Sequence, residues 1–206
     1  MAAGVAAPWS ADSGRANWPA LNERIRACTR CDLHATRTQA VCGVGSETAD
    51  WLIVGEAPGA EEDARGEPFV GRAGRLLDEM LLAVGLQRET VYIANVLKCR
   101  PPDNRNPAPD EVAQCRPHLE QQIEWLQPRI ILAVGAFAAR TLLNADPATP
   151  VGKLRGEVHR YGPAQIPLVV TYHPAYLLRR PLEKRRSWSD LLLARDQLDA
   201  ASARVS

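Results

Sequence analysis

The stretch Trp51-Leu-Ile-Val-Gly-Glu-Ala-Pro-Gly59 joins a continuous apolar run to a loop rich in glycine and proline. Such a run is typical of a central strand that is buried on both faces of a parallel sheet. Residues 91–94, 130–134 and 168–172 form three more runs of the same kind, rich in β-branched side chains. The sequence therefore predicts four central strands.

Helical patterns lie between these runs. Residues 72–84 place Leu76, Leu77, Met80 and Leu81 on one face, and further helices are predicted over 19–27, 110–126, 136–143 and 188–198. Strands that alternate with helices indicate an α/β fold whose site lies at the carboxyl ends of the strands. We expect a three-layer α/β/α sandwich around a short four-stranded, mainly parallel sheet.

Length and composition fit one domain. We assign residues 18–200 to it, with disordered tails over 1–17 and 201–206. No stretch approaches the roughly 18 apolar residues of a membrane span, and the amino terminus lacks the pattern of a signal peptide. We therefore expect a cytoplasmic protein without membrane association. The net charge of +1 means that any nucleic-acid binding must depend on a local patch.

Four of the five cysteines fall into two groups. Cys28 and Cys31 form a C-x-x-C pair, and Cys99 and Cys115 follow much later. A zinc knuckle normally has two tightly spaced pairs, so a site made by these four thiols would join distant parts of the chain. Thiolate ligands suit zinc or an iron–sulfur cluster, and the spacing alone does not decide between them. Cys42 is expected to be an ordinary core or loop residue.

Polar side chains follow three of the four predicted strands. Glu56, Asn95 and His173 each come directly after an apolar run or at its end. Because the carboxyl ends of parallel strands meet at one edge of a sheet, we expect these three side chains to share a site.

Five motifs in one order resemble those of the family 4, iron–sulfur uracil-DNA glycosylases. They are GEAPG at 55–59, EPFVGRAG at 67–74, ANV at 94–96, KCRPP at 98–102 and HPAYLLR at 173–179. The resemblance runs from about Cys28 to Leu198. It implies the uracil-DNA glycosylase fold, hydrolysis of the bond between uracil and deoxyribose, and an abasic product for base excision repair. It also implies a [4Fe-4S] cluster on Cys28, Cys31, Cys99 and Cys115.

The same resemblance implies roles for the residues at the strand ends. A flipped uracil would stack on Phe69, and its N3–H and O4 would pair with the amide of Asn95. His173 would donate to O2 as negative charge develops on the departing base, for which a neutral imidazole suffices. The pocket would be lined by the backbone of Gly55, Glu56 and Ala57.

Two positions differ from the best-known uracil glycosylases. Ala57 stands where those enzymes carry an aspartate that helps the attacking water, and Gly59 stands where a tyrosine excludes the thymine methyl group. Glu56 is the nearest carboxylate that can place the water, unless electrostatics around an oxocarbenium-like sugar suffices. The predicted catalytic set is therefore Glu56, Asn95 and His173. Glu62 either supplies the missing bulk or is a solvated charge at a helix start.

The segment after His173 is the predicted DNA contact surface. Leu177 is expected to wedge into the space left by the flipped base. Five of the eight residues 179–186 are basic, and phosphate contacts are expected from Arg179, Arg180, Lys184 and Arg185. The expected partner is uracil-containing DNA, single- or double-stranded, bound by a monomer.

Three alternatives stay open. The chain could be a redox protein that uses the cluster for electron transfer, although no GxGxxG follows a strand. It could be a zinc-stapled or iron–sulfur nucleic-acid-binding module without catalysis. It could also be a uracil-crosslinking relative, in which a histidine in an inserted loop traps the sugar. Residues 100–114 contain no histidine, which counts against the last alternative.

Overall fold

A computed structural model describes residues 16–202, with side chains as far as residue 200. Residues 1–15 and 203–206 of the predicted tails lie outside the described residues, and for them the disorder stays a prediction. The last helix continues to Ser202, past the expected end of the domain at 200. Within the described range, no helix is both long enough and apolar enough to cross a membrane.

One sheet of six strands lies at the centre, in the order β1-β3-β2-β4-β6-β5. Its four central strands are parallel and match the predicted runs: β2 Trp51–Gly55, β3 Tyr92–Asn95, β4 Ile130–Val134 and β6 Ile166–Thr171. Two short antiparallel strands, β1 Val44–Gly45 and β5 Val158–Tyr161, close the edges. The prediction of four strands is wrong by these two, because partly exposed edge strands have no continuous apolar run.

The described residues form eight α-helices. Their bounds are α1 Trp18–Arg26, α2 Ala60–Arg65, α3 Arg72–Ala83, α4 Pro109–Leu126, α5 Ala136–Leu143, α6 Val151–Leu154, α7 Pro174–Arg179 and α8 Lys184–Ser202. The five predicted helices correspond to α1, α3, α4, α5 and α8. The other three are too short, at six residues or fewer, to show a helical period in the sequence.

The helices cover both faces of the sheet. Leu52 and Val54 of β2 face a core that is shared with α1, α4 and α5. Trp51 and Ile53 face a second core that is shared with α3, α7 and α8. Alternate residues of each strand are thus buried on opposite sides, which explains the continuous apolar runs. The predicted three-layer α/β/α sandwich is confirmed.

Candidate active site

The predicted pocket residues converge at the carboxyl ends of β2 and β3. Gly55 and Asn95 are opposite each other in the parallel ladder. A Cβ added to Gly55 would lie 2.4 Å from Oδ1 of Asn95 and 2.7 Å from two ring atoms of Phe69. Glycine is therefore required at this position, because any side chain would occupy the space between the amide and the ring.

Asn95 carries a buried amide oxygen without a partner. The residue is 2% exposed, and its Oδ1 accepts no hydrogen bond within the described part of the chain. Leaving such an acceptor unpaired costs about 1–3 kcal/mol. A site that retains this cost is suited to a ligand that brings its own N–H donor.

The loop that carries Phe69 is held in a strained conformation. Phe69 has φ 55°, which is uncommon for an aromatic residue. The guanidinium of Arg88 donates to the carbonyls of Pro68 and Phe69. Gly74 permits the close approach, since a Cβ there would lie 1.8 Å from the carbonyl oxygen of Phe69. These contacts fix the ring next to Gly55.

Glu62 joins the two loops that form this pocket. Its Oε1 accepts from the backbone N–H groups of Val70 at 2.9 Å and Gly71 at 3.1 Å, and its Oε2 accepts from Gly59 at 3.1 Å. The two sequence-based interpretations, a solvated charge or bulk that excludes the thymine methyl group, do not describe this side chain, because its carboxylate is bonded to three backbone N–H groups. It clamps the loop after β2 to the loop that carries Phe69.

His173 lies at the start of α7 and presents a hydrogen-bond donor. Its Nδ1 accepts from the backbone N–H of Ala175 at 3.1 Å, so the proton of the neutral ring is on Nε2. The ring centroid is 5.6 Å from that of Phe69. Burial, and then the charge of Arg179, lower the pKa of His173 to about 4. The imidazole is therefore neutral at physiological pH.

Glu56 and Ala57 are half-buried. Burial raises the pKa of Glu56, and Arg140 opposes that shift. The charged side chains that act on His173 are Arg179 and Glu62. Ala57 packs against the small apolar group around Leu97 and the cysteines. The water-placing role of Glu56 and the pocket-lining role of Ala57 stay predictions.

The structure contradicts the wedge predicted at Leu177. That side chain is 0% exposed and packs in the core shared by α3 and α8. The reason is that the segment after His173 forms helix α7, which turns Leu177 inward. The next residue, Leu178, is 39% exposed and points away from the core.

The basic segment is exposed as expected. Every cation predicted to contact DNA is on the surface of the α7–α8 connection: Arg179, Arg180, Lys184 and Arg185. Two apolar side chains are also exposed there, Leu182 at 91% and Trp188 at 41%. A surface that combines cations with exposed apolar groups next to a pocket is suited to a nucleic-acid strand.

The four predicted ligand cysteines line one small cavity. Arg37 Nη1 donates to Sγ of Cys99 at 2.9 Å, and the backbone N–H of Lys98 donates to Sγ of Cys115 at 3.2 Å. Burial raises the pKa of Cys115 to about 12, so a metal must displace its proton. Among residues 16–202, no group of three or more potential ligands already lies close enough to hold a metal ion. The thiol-only set and its N–H donors nevertheless fit an iron–sulfur cluster or zinc.

A larger groove lies at the opposite edge of the sheet. It is bounded by the end of α4, the end of α5 and the β5–β6 hairpin, and its lining includes Ile123, Leu142 and Tyr161. Asn95, Phe69 and His173 take no part in it. We assign the chemistry to the strand-end pocket at Gly55, because there an unpaired amide oxygen lies beside an aromatic ring that also neighbours an imidazole donor.

Three residues of the site were missed by the sequence analysis in their actual roles: Glu62, Arg88 and Lys98. Glu62 and Arg88 bond to backbone groups of the loop that carries Phe69, and Lys98 bonds to Gln122 of α4, and no residue pattern encodes such pairs. The spacing from Gly59 to Glu62 was the one available signal, since a glutamate three residues after a helix cap commonly bonds back to it.

Comparison with a family model and with individual known proteins points to the same family. Residues 42–193 match the family described as the Uracil DNA glycosylase superfamily. Proteins named Type-4 uracil-DNA glycosylase are similar over most of the chain. The protein from Archaeoglobus fulgidus is 48% identical over 171 residues, which are 81% of this chain and 85% of that protein. The protein from Thermotoga maritima is 47% identical over 168 residues (81% and 86%).

A third relative with the same name, from Pyrobaculum aerophilum, is 45% identical over 177 residues, which are 84% of this chain and 90% of that protein. The family match runs from before β1 to residue 193, within α8, and therefore contains Gly55, Asn95 and His173. On these grounds the chain belongs to the uracil DNA glycosylase superfamily.

Proposed function

We propose that the protein is a type-4 uracil-DNA glycosylase, which flips uracil out of DNA and hydrolyses its N-glycosidic bond to leave an abasic site for repair. The observation that carries this proposal is the convergence of a buried, unpaired amide oxygen and an aromatic ring at Gly55, with an imidazole beside that ring. Relatives with this name cover most of the chain.

Each group has a task in this reaction. Phe69 stacks on the flipped base, and the amide of Asn95 accepts from N3–H and donates to O4. Cytosine presents the opposite pattern at these two atoms and would leave buried groups unpaired, so it is rejected. His173 donates Nε2–H to O2 and stabilises the negative charge that develops as the bond breaks.

We assign the placement of the attacking water to Glu56, which is the carboxylate nearest to the pocket in sequence. Phosphate contacts are assigned to the exposed cations that precede and open α8. Because Leu177 is buried, the wedge role passes to Leu178, the exposed apolar residue next to it.

The cofactor that fits best is a [4Fe-4S] cluster on Cys28, Cys31, Cys99 and Cys115. The thiol-only donor set fits this cluster as well as zinc, and the name that the relatives carry supports the cluster. When bound, such a cluster supplies a structural cross-link, since it joins the segment after α1 to the loop after β3 and to α4. No step of base release is assigned to it.

Replacement of Cys28 by alanine is expected to remove the visible iron–sulfur absorbance and to lower the melting temperature by about 5–15 °C, as the loss of a covalent staple would. The matched control is Cys42→Ala, which truncates a buried thiol in the main core and should retain iron. Iron content and melting curves of both variants show whether Cys28 is a ligand of the cluster. Equal iron in Cys28→Ala and the wild type would rule out this ligand set.

The direct test of the function is incubation of the purified protein with an oligonucleotide that contains one uracil, followed by alkaline cleavage. We expect cleavage at the uracil and none at thymine or cytosine. Binding without cleavage by the iron-loaded protein would favour the non-catalytic binding module. A covalent protein–DNA product would favour the uracil-crosslinking relative.

A further inference from the structure

Lys98 is a fully buried cation that the proposed reaction does not use. The residue is 1% exposed, and a buried ammonium is stable only when its N–H groups are bonded and its charge is balanced. Its Nζ donates to the backbone carbonyl of Asn95 at 2.8 Å and to Oε1 of Gln122 at 2.6 Å. The ionisable side chains that act on it are those of Cys115, Cys42 and Cys99.

The backbone of the same residue reaches the cysteine cavity. The N–H of Lys98 donates to Sγ of Cys115. One residue therefore contacts both a predicted cluster ligand and the residue proposed to recognise the base.

The segment between Asn95 and Lys98 is held on the end of β2. The N–H groups of Val96 and Leu97 donate to the carbonyls of Gly55 and Glu56 at 2.9 and 3.0 Å. The peptide after Asn95 is thus fixed from two sides, by β2 through the N–H of Val96 and by the ammonium through the carbonyl of Asn95. The backbone on the carboxyl side of the Asn95 Cα, from which the amide side chain extends, is therefore held in place.

We propose that Lys98 is a positioning residue that couples the cysteine site to base recognition by Asn95, an inference that rests on the function proposed above. The ammonium holds the peptide that aims the amide of Asn95 at the space beside Gly55. The N–H bond to Cys115 ties this arrangement to the cysteine site. A change at Cys115 therefore reaches the pocket, whereas a change at Cys28 lacks this route.

The first test is Lys98→Met, which keeps the length of the side chain and removes the donor. The probes are two duplexes that differ at one position, 2′-fluoro-deoxyuridine or 2′-fluoro-deoxycytidine, chosen to resist cleavage. We expect the preference for the uracil duplex, measured as a ratio of Kd values, to fall at least about ten-fold, since a charge-assisted hydrogen bond is lost. Lys153→Met, at an exposed lysine of α6, should keep the wild-type ratio.

A second control separates positioning from general damage. Gln122 is the other acceptor of the ammonium, and its Nε2 donates to the backbone carbonyl of Cys42 and to the hydroxyl of Tyr92. Gln122→Leu removes these three bonds and leaves the bond from Lys98 to the Asn95 carbonyl. We expect this variant to melt at a lower temperature and to keep its preference for uracil. A loss of preference as large as in Lys98→Met would overturn the positioning role.

The coupling to the cysteine site is tested by a double-variant cycle. Lys98→Met should add little to the loss of preference caused by Cys115→Ala, and Cys28→Ala alone should reduce the preference less than Cys115→Ala does. Additive effects of Lys98→Met and Cys115→Ala would refute the coupling. If Lys98→Met melts below the assay temperature, the coupling is tested by comparing the uracil preference of Cys115→Ala with that of Cys28→Ala.

Visible absorbance is recorded for every variant, and we expect Lys98→Met to retain the iron–sulfur spectrum because all four thiols remain. Failure of this inference is distinguishable from failure of the proposed function. If the wild type shows no preference for the uracil duplex and releases no uracil, the function is wrong. If the wild type shows the preference and Lys98→Met equals Lys153→Met, only the coupling is wrong.

Discussion

Alanine in place of His173 is expected to slow uracil release by about 10²–10³-fold, the usual effect of removing one donor from a developing anion. The imidazole is fixed by the bond from the Ala175 N–H to Nδ1 and lies beside the ring of Phe69, so its truncation removes the Nε2–H that we assign to uracil O2. Because this donor acts mainly on the departing base, the affinity for uracil-containing DNA should change little. Single-turnover release and DNA-binding measurements on the same oligonucleotide check both parts.

The matched control is His159→Ala. That ring bonds to the carbonyl of Leu154 and lies on the edge strand β5, so release should stay near the wild-type rate. An equal loss in both variants, or a loss in binding as large as the loss in release, would count against a specific role of His173.

Because the pKa of His173 is low, its role also predicts how kcat/KM and stability depend on pH. With a folded pKa of about 4, the imidazole stays neutral down to that pH, so the loss of kcat/KM that this residue causes should begin near pH 4 rather than near 6.5. The neutral form also contributes stability that is fully present above pH 6.5. That contribution is lost as the pH falls from 6.5 to 4, because the unfolded chain then binds a proton that the folded chain excludes.

Titration of thermal stability in the wild type and in His173→Ala tests this sign. The difference between the two proteins should shift in favour of the variant as the pH falls through that window. A constant difference would show that His173 is not held neutral by the fold.

Asn95→Asp is expected to reduce uracil release about 10- to 100-fold, because the donor to O4 is lost within a buried site. Asn95 is almost fully buried, and burial favours the protonated form of a carboxyl group. A protonated carboxyl can donate to N3 of cytosine and accept from its amino group, so weak cytosine release is also expected. Matched oligonucleotides with one uracil or one cytosine measure both effects.

Asn144→Asp is the control for the same change of charge and shape. Asn144 is an exposed residue at the end of α5, and its replacement should leave both rates unchanged. Uracil release by Asn95→Asp at the wild-type rate would remove Asn95 from the recognition role.

Local sequence patterns were sufficient to predict the central strands and the longer helices of the fold. The four central strands and five longer helices could be predicted, since a strand buried on both faces or an amphipathic helix repeats its apolar residues over several positions. The short edge strands β1 and β5 and the helices α2, α6 and α7 escaped prediction, because two to six residues give too little periodicity.

Leu177 shows where the pattern was misleading. Its place after the HPAY turn suggested an exposed tip, but helix α7 directs it into the core and exposes Leu178 instead. Which side chain of so short a helix is buried depends on the elements that pack beneath the helix, and that information is not local.

The chain by itself determined which residues stand at the strand ends, because the apolar runs place Gly55, Asn95 and His173 at one edge of any parallel sheet they form. Only the tertiary structure decided how those residues are held. The clamp of Glu62 on Val70 and the bond of Lys98 to Gln122 join groups on separate elements. Such contacts arise from the packing of loops in three dimensions, and no spacing along the chain specifies them.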